Sequence, residues 1–264
     1  MYVAVKGGEP DEAYHDSDYT VYAALQLARD AEAKRTMEEA VKVMGFNPAR
    51  NTAFYATAAM SARLVLERGA WAEAAQLKVT ESKFVYSDAL LWFARAIGAA
   101  RSGNADAADK DAEQLAVIHK LLQKDNNNYW ATEVEIQRLA AAGWIALARG
   151  NSEAALKFMR AAADLEDKNE KHIITPGRML PARELLGDML LELKQPAQAL
   201  TEYESSQLRE PNRFRGYFGA ARAADGAGDR AKARAYYEKL LALAKNADTQ
   251  RSELAQARSY VAQR

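Results

Sequence analysis

The chain has no cysteine among its 264 residues. A disulfide framework and a thiolate metal site are therefore both excluded, and the redox compartment is left unread. Histidine is scarce: His15, His119 and His172 are the whole set, and no two stand at metal-ligand spacing. An excess of either charge is also missing, since 36 Lys and Arg face 36 Asp and Glu. Bulk electrostatic attraction to nucleic acid or an anionic membrane is thus not expected. No apolar run approaches the roughly 18 residues of a membrane helix. The opening Met1 to Pro10 offers only Tyr2-Val3-Ala4-Val5 before Lys6-Gly7-Gly8, short of a signal-peptide core of about 7–15 residues. A cytoplasmic location is the expectation. No Ser-His-Asp order, phosphate-binding loop or H-E-x-x-H occurs, so no cofactor, metal or catalytic residue is assigned.

What the chain does have is a repeat. Between Pro181 and Lys245 stand Arg183-x-x-Leu186-Gly187-x-x-Leu190, then Ala199-x-x-x-Tyr203, then Pro211. Shifted by 34 residues come Tyr217-x-x-Ala220-Ala221-x-x-Ala224 and Ala233-x-x-x-Tyr237. The physics is that of paired helices. Leu186 and Leu190 lie one turn apart and face inward. Gly187 and Ala221 are small where a partner helix crosses, as are Ala199 and Ala233 on that partner. Tyr203 and Tyr237 fill the gap towards the next pair. Gln195-Pro196 and Gly228-Asp229 break the helices. No pair buries its apolar face alone, so pairs must stack.

Upstream the pattern continues. Residues Asp18 to Arg29 and Asp30 to Met44 read as a degenerate first pair ending at Gly45, with Pro48 beyond. Residues 52–68 read as a first helix, and Gly69 to Ala75 as the turn and start of its partner. The turn recurs at Gly103-Asn104 and Gly150-Asn151, with Trp92 and Gly143 on the preceding helices and Met159 at the aromatic position. From Gly143 to Gly187 is 44 residues. The ten extra residues fall in 168–178, around Thr175-Pro176-Gly177. A final helix capped by Asp248 or Thr249 carries Leu254, Ala257 and Val261. The domain reading is an extension over 1–16, then one array over 17–264 of about six pairs, with a capping helix over 248–264.

These motifs resemble the tetratricopeptide signature W-x2-L-G-x2-Y, A-x3-F, P, on its 34-residue period. The resemblance implies an all-α, right-handed α-solenoid of antiparallel pairs. A narrower likeness is carried by Tyr129-Trp130, Glu135 to Ala140, Ala163 to Asp167, Glu170-Lys171-His172, Thr175-Pro176-Gly177, Leu180 to Gly187, Glu210 to Phe214 and Gly219 to Arg222. It is similar to the C-terminal half of a bacterial tetratricopeptide family without assigned activity. Members carry more N-terminal repeats, which implies a fragment or a shortened member and no reaction.

Several local patterns have plain explanations. Gly226-x-Gly228-x-x-Ala231 imitates a dinucleotide fingerprint but follows a helix rather than a strand, so it reads as a turn. Asp164, Glu166, Asp167 and Glu170 read as a solvated helix end, and so do Asp106, Asp109, Asp111 and Glu113. His172 lies in the insertion and is either a binding-face residue or a locally bonded loop histidine.

The resemblance also assigns a concave groove, lined by Phe93, Ile97, Arg101, Gln137, Trp144, Glu184, Asp188, Arg215, Phe218 and Arg222. Trp144 is weighed equally as core. Arginine with aromatic residues suits a peptide or carboxylate ligand. The expected function is a non-catalytic scaffold binding a protein, peptide or small ligand. The alternatives are an enzyme or accessory domain centred on His172, Arg183 and Glu184, and an oligomerisation module. Within the groove, Glu184 and Asp188 are the internal partners that would neutralise Arg215 and Arg222.

Overall fold

The computed structural model describes residues 10–44 and 51–263. Among the described residues there are thirteen helices and no strand. They are α1 (Pro10–Gln26), α2 (Asp30–Met44), α3 (Asn51–Leu66), α4 (Trp71–Ala74), α5 (Val85–Arg101), α6 (Ala105–Lys124) and α7 (Asn128–Ala148). Then follow α8 (Ser152–Glu166), α9 (Ala182–Glu192), α10 (Pro196–Arg209), α11 (Phe214–Gly226), α12 (Arg230–Leu243) and α13 (Ser252–Ala262). Helix α1 begins at Pro10 and buries Ala13 and Tyr14. The expected extension over 1–16 is therefore corrected at its end: 10–16 already belong to the first helix. The readings at Gly45 and Pro48, and at the residues before Pro10, lie outside the described residues.

The turns between paired helices repeat one device. Gly103, Gly150 and Gly228 have φ of +81°, +77° and +86°, a conformation that costs glycine little. The next residue, Asn104, Asn151 or Asp229, accepts a hydrogen bond from the backbone N–H three residues on, at Ala107, Ala154 and Lys232. Each Gly-Asn or Gly-Asp step thus ends one helix and caps the next. The dinucleotide-like Gly226-x-Gly228 is one of these turns.

Small residues set the distance between helices. A Cβ on Gly187 would stand 2.8 Å from the Tyr203 ring, and one on Gly219 would stand 2.2 Å from it. Tyr203 is therefore clamped between α9 of its own pair and α11 of the next. A Cβ on Gly98 would stand 2.6 Å from the backbone of Trp71 and Ala75, and one on Gly143 would stand 3.1 Å from Ala155 O. Ala199, fully buried, lies on the helix that carries Tyr203. Ala199→Trp should cost at least about 1–3 kcal/mol through overpacking. A denaturant midpoint equal to the parent's would refute this packing register.

The second pair departs from the expected form. Helix α4 stops after a single turn, and the chain runs without helix to Phe84. The β-branched Val79-Thr80 step disfavours helix, and the carbonyl of Leu77 accepts from Arg95 Nη1 (2.8 Å) instead of a helical N–H.

The first helices of successive pairs touch in the order α1, α3, α5, α7, α9, α11, and α11 returns to α1. The array closes on itself. Phe214 N–H donates to Gln26 Oε1 (2.9 Å). Asp248 accepts from Ala31 N–H (3.0 Å) and Glu32 N–H (2.9 Å). Arg251 pairs with Asp30 and donates to Leu25 O (3.0 Å). The expected cap of the last helix is thereby corrected. Asp248 caps α2 from the far end of the chain, because the closure brings α2's free N–H groups to it. The last helix begins only at Ser252.

Closure fills part of the interior with charge. Arg63 and Arg213 are both fully buried. Arg63 donates to Asp18 Oδ1 (2.9 Å), Thr175 Oγ1 (2.6 Å), Gly177 O (2.7 Å) and Arg178 O (3.1 Å). Arg213 donates to Glu184 Oε1 and Glu67 Oε1, both at 2.8 Å. The insertion after α8 is thus folded against α1 and α3. A Cβ on Gly177 would meet the Tyr22 ring at 2.8 Å.

Candidate functional site

The ten groove candidates separate into three groups. Phe93, Ile97 and Trp144 are buried in the main hydrophobic core. Glu184 is also buried, held by Arg213 and raised in pKa by that burial. The remaining residues face open space in two places.

Five of them converge: Arg101, Asp188, Arg215, Phe218 and Arg222 line a single pocket of about 280 Å³, together with Arg68, Trp71, Ser252 and Glu253. Helices α5, α9, α11 and α13 and the turn before α4 supply its walls. The Arg101 guanidinium lies between two indoles, 4.3 Å from Trp71 and 4.1 Å from Trp144. That stacking holds its fork flat, and its two ends donate to Asp188 Oδ2 and Glu192 Oε1, each at 2.9 Å. Arg215 donates to the same Asp188 oxygen at 2.6 Å, and Tyr203 OH donates to the other. Burial pushes the Asp188 carboxyl up, but Arg215 and Arg101 outweigh it and hold the group down at about 2. Arg222 differs from its neighbours. It is exposed and lies over the Phe218 ring at 5.6 Å. Among the described residues no carboxylate lies within ion-pair distance of it, whereas Arg68 and Arg101 have one each beyond the pocket, Glu73 and Glu192.

Gln137 and His172 lie elsewhere, around a cavity of about 30 Å³, room for about one water. Its wall is aromatic. Trp130 stacks on Tyr86 at 4.3 Å and 5°, and His172 packs against Tyr129 (5.2 Å) and Trp130 (5.1 Å). His172 Nδ1 accepts from Ile174 N–H at 3.1 Å, the local bond of a loop histidine. The Oε1 of Gln137 is buried and has no hydrogen-bond partner among the described residues.

The same cavity corrects the reading of Glu166 as part of a solvated helix end. The carboxylate is buried because the insertion folds over it. Its Oε1 accepts from Ala182 N–H (2.8 Å), while Arg178 is engaged mainly with Glu133 (2.7 and 2.9 Å). Burial therefore dominates and raises Glu166 to about 8. The protonated form is favoured in the fold, so the stabilising contribution is complete below the ordinary value of 4.5 and is lost as pH rises to about 8. Glu166→Gln, neutral throughout, should gain melting temperature relative to the parent across that window. Parallel melting curves between those pH values would refute the assignment. Asp111 is likewise not solvated: it is buried against Arg95 at 3.0 Å.

The trio His172, Arg183 and Glu184 is not assembled. His172 faces the aromatic cavity and Glu184 faces Arg213, whereas Arg183 faces outward to Asp167 and Glu202. Among the described residues no group of three or more His, Asp or Glu is placed to hold a metal ion. None of the described helices is long and apolar enough to cross a membrane.

Sequence reasoning missed Arg63, Glu67 and Arg213 in the interior and Arg68, Trp71 and Glu253 in the pocket. A signal for Arg63 existed: it is a lone charge inside the apolar run Ala58-Ala59-Met60-Ser61-Ala62-Arg63-Leu64-Val65-Leu66. Comparison with protein-family models and with curated proteins finds no match to this chain.

Proposed function

We propose that the protein is a non-catalytic binding scaffold, a right-handed tetratricopeptide-like array of antiparallel helix pairs. It holds a protein segment at the pocket of Arg101, Asp188, Arg215, Phe218 and Arg222. The repeated Gly-Asn turns and the clamping of Tyr203 between Gly187 and Gly219 support the array. One observation carries the binding site: among the described residues Arg222 has no carboxylate within ion-pair distance, in a pocket whose other arginines are paired. Paired arginines hold the pocket's shape, and the free one is left to meet a ligand. The aromatic faces of Trp71 and Phe218 add contact area of the kind that anchors protein segments.

The test is capture from a cell lysate followed by mass spectrometry, with Arg222→Ala beside the parent. The variant removes an exposed side chain, so its stability should stay within about 0.5 kcal/mol of the parent. The captured protein should fall away. A variant that keeps the parent's partners would refute this site. Arg215→Ala is less suitable, because it also strips Asp188 of a buried partner.

A further inference from the structure

We propose that the segment held at the arginine pocket carries a phosphate monoester, which binds between Arg222, Arg215 and Arg68. This rests on the binding reading above and adds the chemistry of the ligand.

The first ground is charge. Arg68, Arg101, Arg215 and Arg222 bring four positive charges to the lining, and Asp188 and Glu253 bring two negative ones. Two positive charges are left in excess within the pocket. Glu73 and Glu192, which pair with Arg68 and Arg101, have side chains 63% and 48% exposed. Water screens their counter-charge. A phosphate monoester carries about −1.5 to −2 at pH 7 and offers three acceptor oxygens, whereas a carboxylate offers a single charge.

The second ground is donor supply. Arg101 has both terminal nitrogens committed, to Asp188 and to Glu192. Arg215 commits only Nη2 to its carboxylate. Arg68 commits Nε to Leu64 O and Nη2 to Glu73 and keeps Nη1, and among the described residues Arg222 commits none. Several N–H donors therefore converge on one space with few acceptors.

The third ground is the backbone. Phe214 and Arg215 open α11, and Ser252 and Glu253 open α13, and all four line the pocket. Neither helix is capped by its own N-cap residue, Arg213 or Arg251, and in α11 Gln26 Oε1 takes the Phe214 N–H. Two positive dipole ends thus add to the guanidinium field. The low pKa of Asp188 is in keeping with that field, since burial alone would have raised it.

The experiment is calorimetry on the full chain with three probes. These are an acetylated and amidated Ala-phosphoserine-Ala peptide, the same peptide with Asp at the centre, and inorganic phosphate. The phosphoserine peptide should bind, and the Asp peptide should bind at least about tenfold more weakly. Arg222→Gln should weaken the phosphoserine peptide about tenfold, and Arg222→Lys less, because lysine keeps the charge but not the fork. Equal affinity for the two peptides would overturn the phosphate preference. Phosphopeptide binding that is absent, or indifferent to Arg222→Gln, would overturn the site assignment. Inorganic phosphate binding as tightly as the peptide would overturn the assignment to a protein segment.

Phosphatase treatment of the lysate separates this inference from the reading it rests on. Capture should be lost on treatment. Capture that needs Arg222 but survives the phosphatase would sink the phosphate and leave the binding site standing. Capture indifferent to Arg222 would remove both.

Discussion

Arg213→Met should destabilise the protein by about 3–5 kcal/mol, enough to unfold a large fraction of a marginal array. The guanidinium is fully buried and serves two buried carboxylates, Glu67 and Glu184, at 2.8 Å each. Methionine fills comparable space but leaves two acids without a counter-charge. The cost is chiefly that of the stranded carboxylates rather than of a lost attraction. The combined change Arg213→Met, Glu67→Leu and Glu184→Leu should therefore recover most of the loss, because an apolar replacement of a whole buried ion cluster is often neutral or better. Chemical denaturation of the two variants measures this. A single variant within about 1 kcal/mol of the parent would show that the cluster is hydrated rather than buried.

Removing residues 248–264 should have an effect of similar size, and part of it should appear at the other end of the molecule. Helix α13 covers α12: Leu254 and Ala257 are buried, and Tyr260 packs on Tyr237 at 4.8 Å. The same segment supplies Asp248 to the first turn of α2 and Arg251 to Asp30. Losing the cap alone costs about 0.5–2 kcal/mol, and exposing the apolar face of α12 adds more. Amide exchange at Ala31 and Glu32 should quicken sharply in the truncated protein. Asp248→Ala should reproduce that local effect without the global one. Unchanged protection of those two amides would mean that the array is open in solution.

The closure also explains what was legible in the sequence. Local rules carried the helices and their crossings. The spacing of Gly187, Ala199 and Tyr203 encodes which faces meet, and Gly-Asn steps encode where helices stop. Such rules operate within one pair and its neighbour. They contain no information about where a run of pairs ends up after six of them. The contacts of Arg213 with Glu67 and of Asp248 with Ala31 span 146 and 217 residues, and no periodicity anticipates them. For this reason the repeat places Glu184 in an open groove although it is an interior partner, and it gives Arg63 and Arg213 no interior role. Arg101, Asp188, Arg215, Phe218 and Arg222 came together because each lies on the groove-lining face of a first helix, and that face is what the repeat encodes. Asp188 was foreseen as the possible neutraliser of Arg215, and it does pair with it. It does not reach Arg222 within ion-pair distance.

The division between structural and ligand-facing arginines can be read directly by phenylglyoxal modification followed by peptide mass spectrometry, with and without the captured partner. Arg222 should react readily in the free protein and be protected in the complex, while Arg63 and Arg213 stay unmodified in both. Equal modification of Arg222 in the two states, with protection appearing instead on arginines outside the pocket, would contradict the binding site.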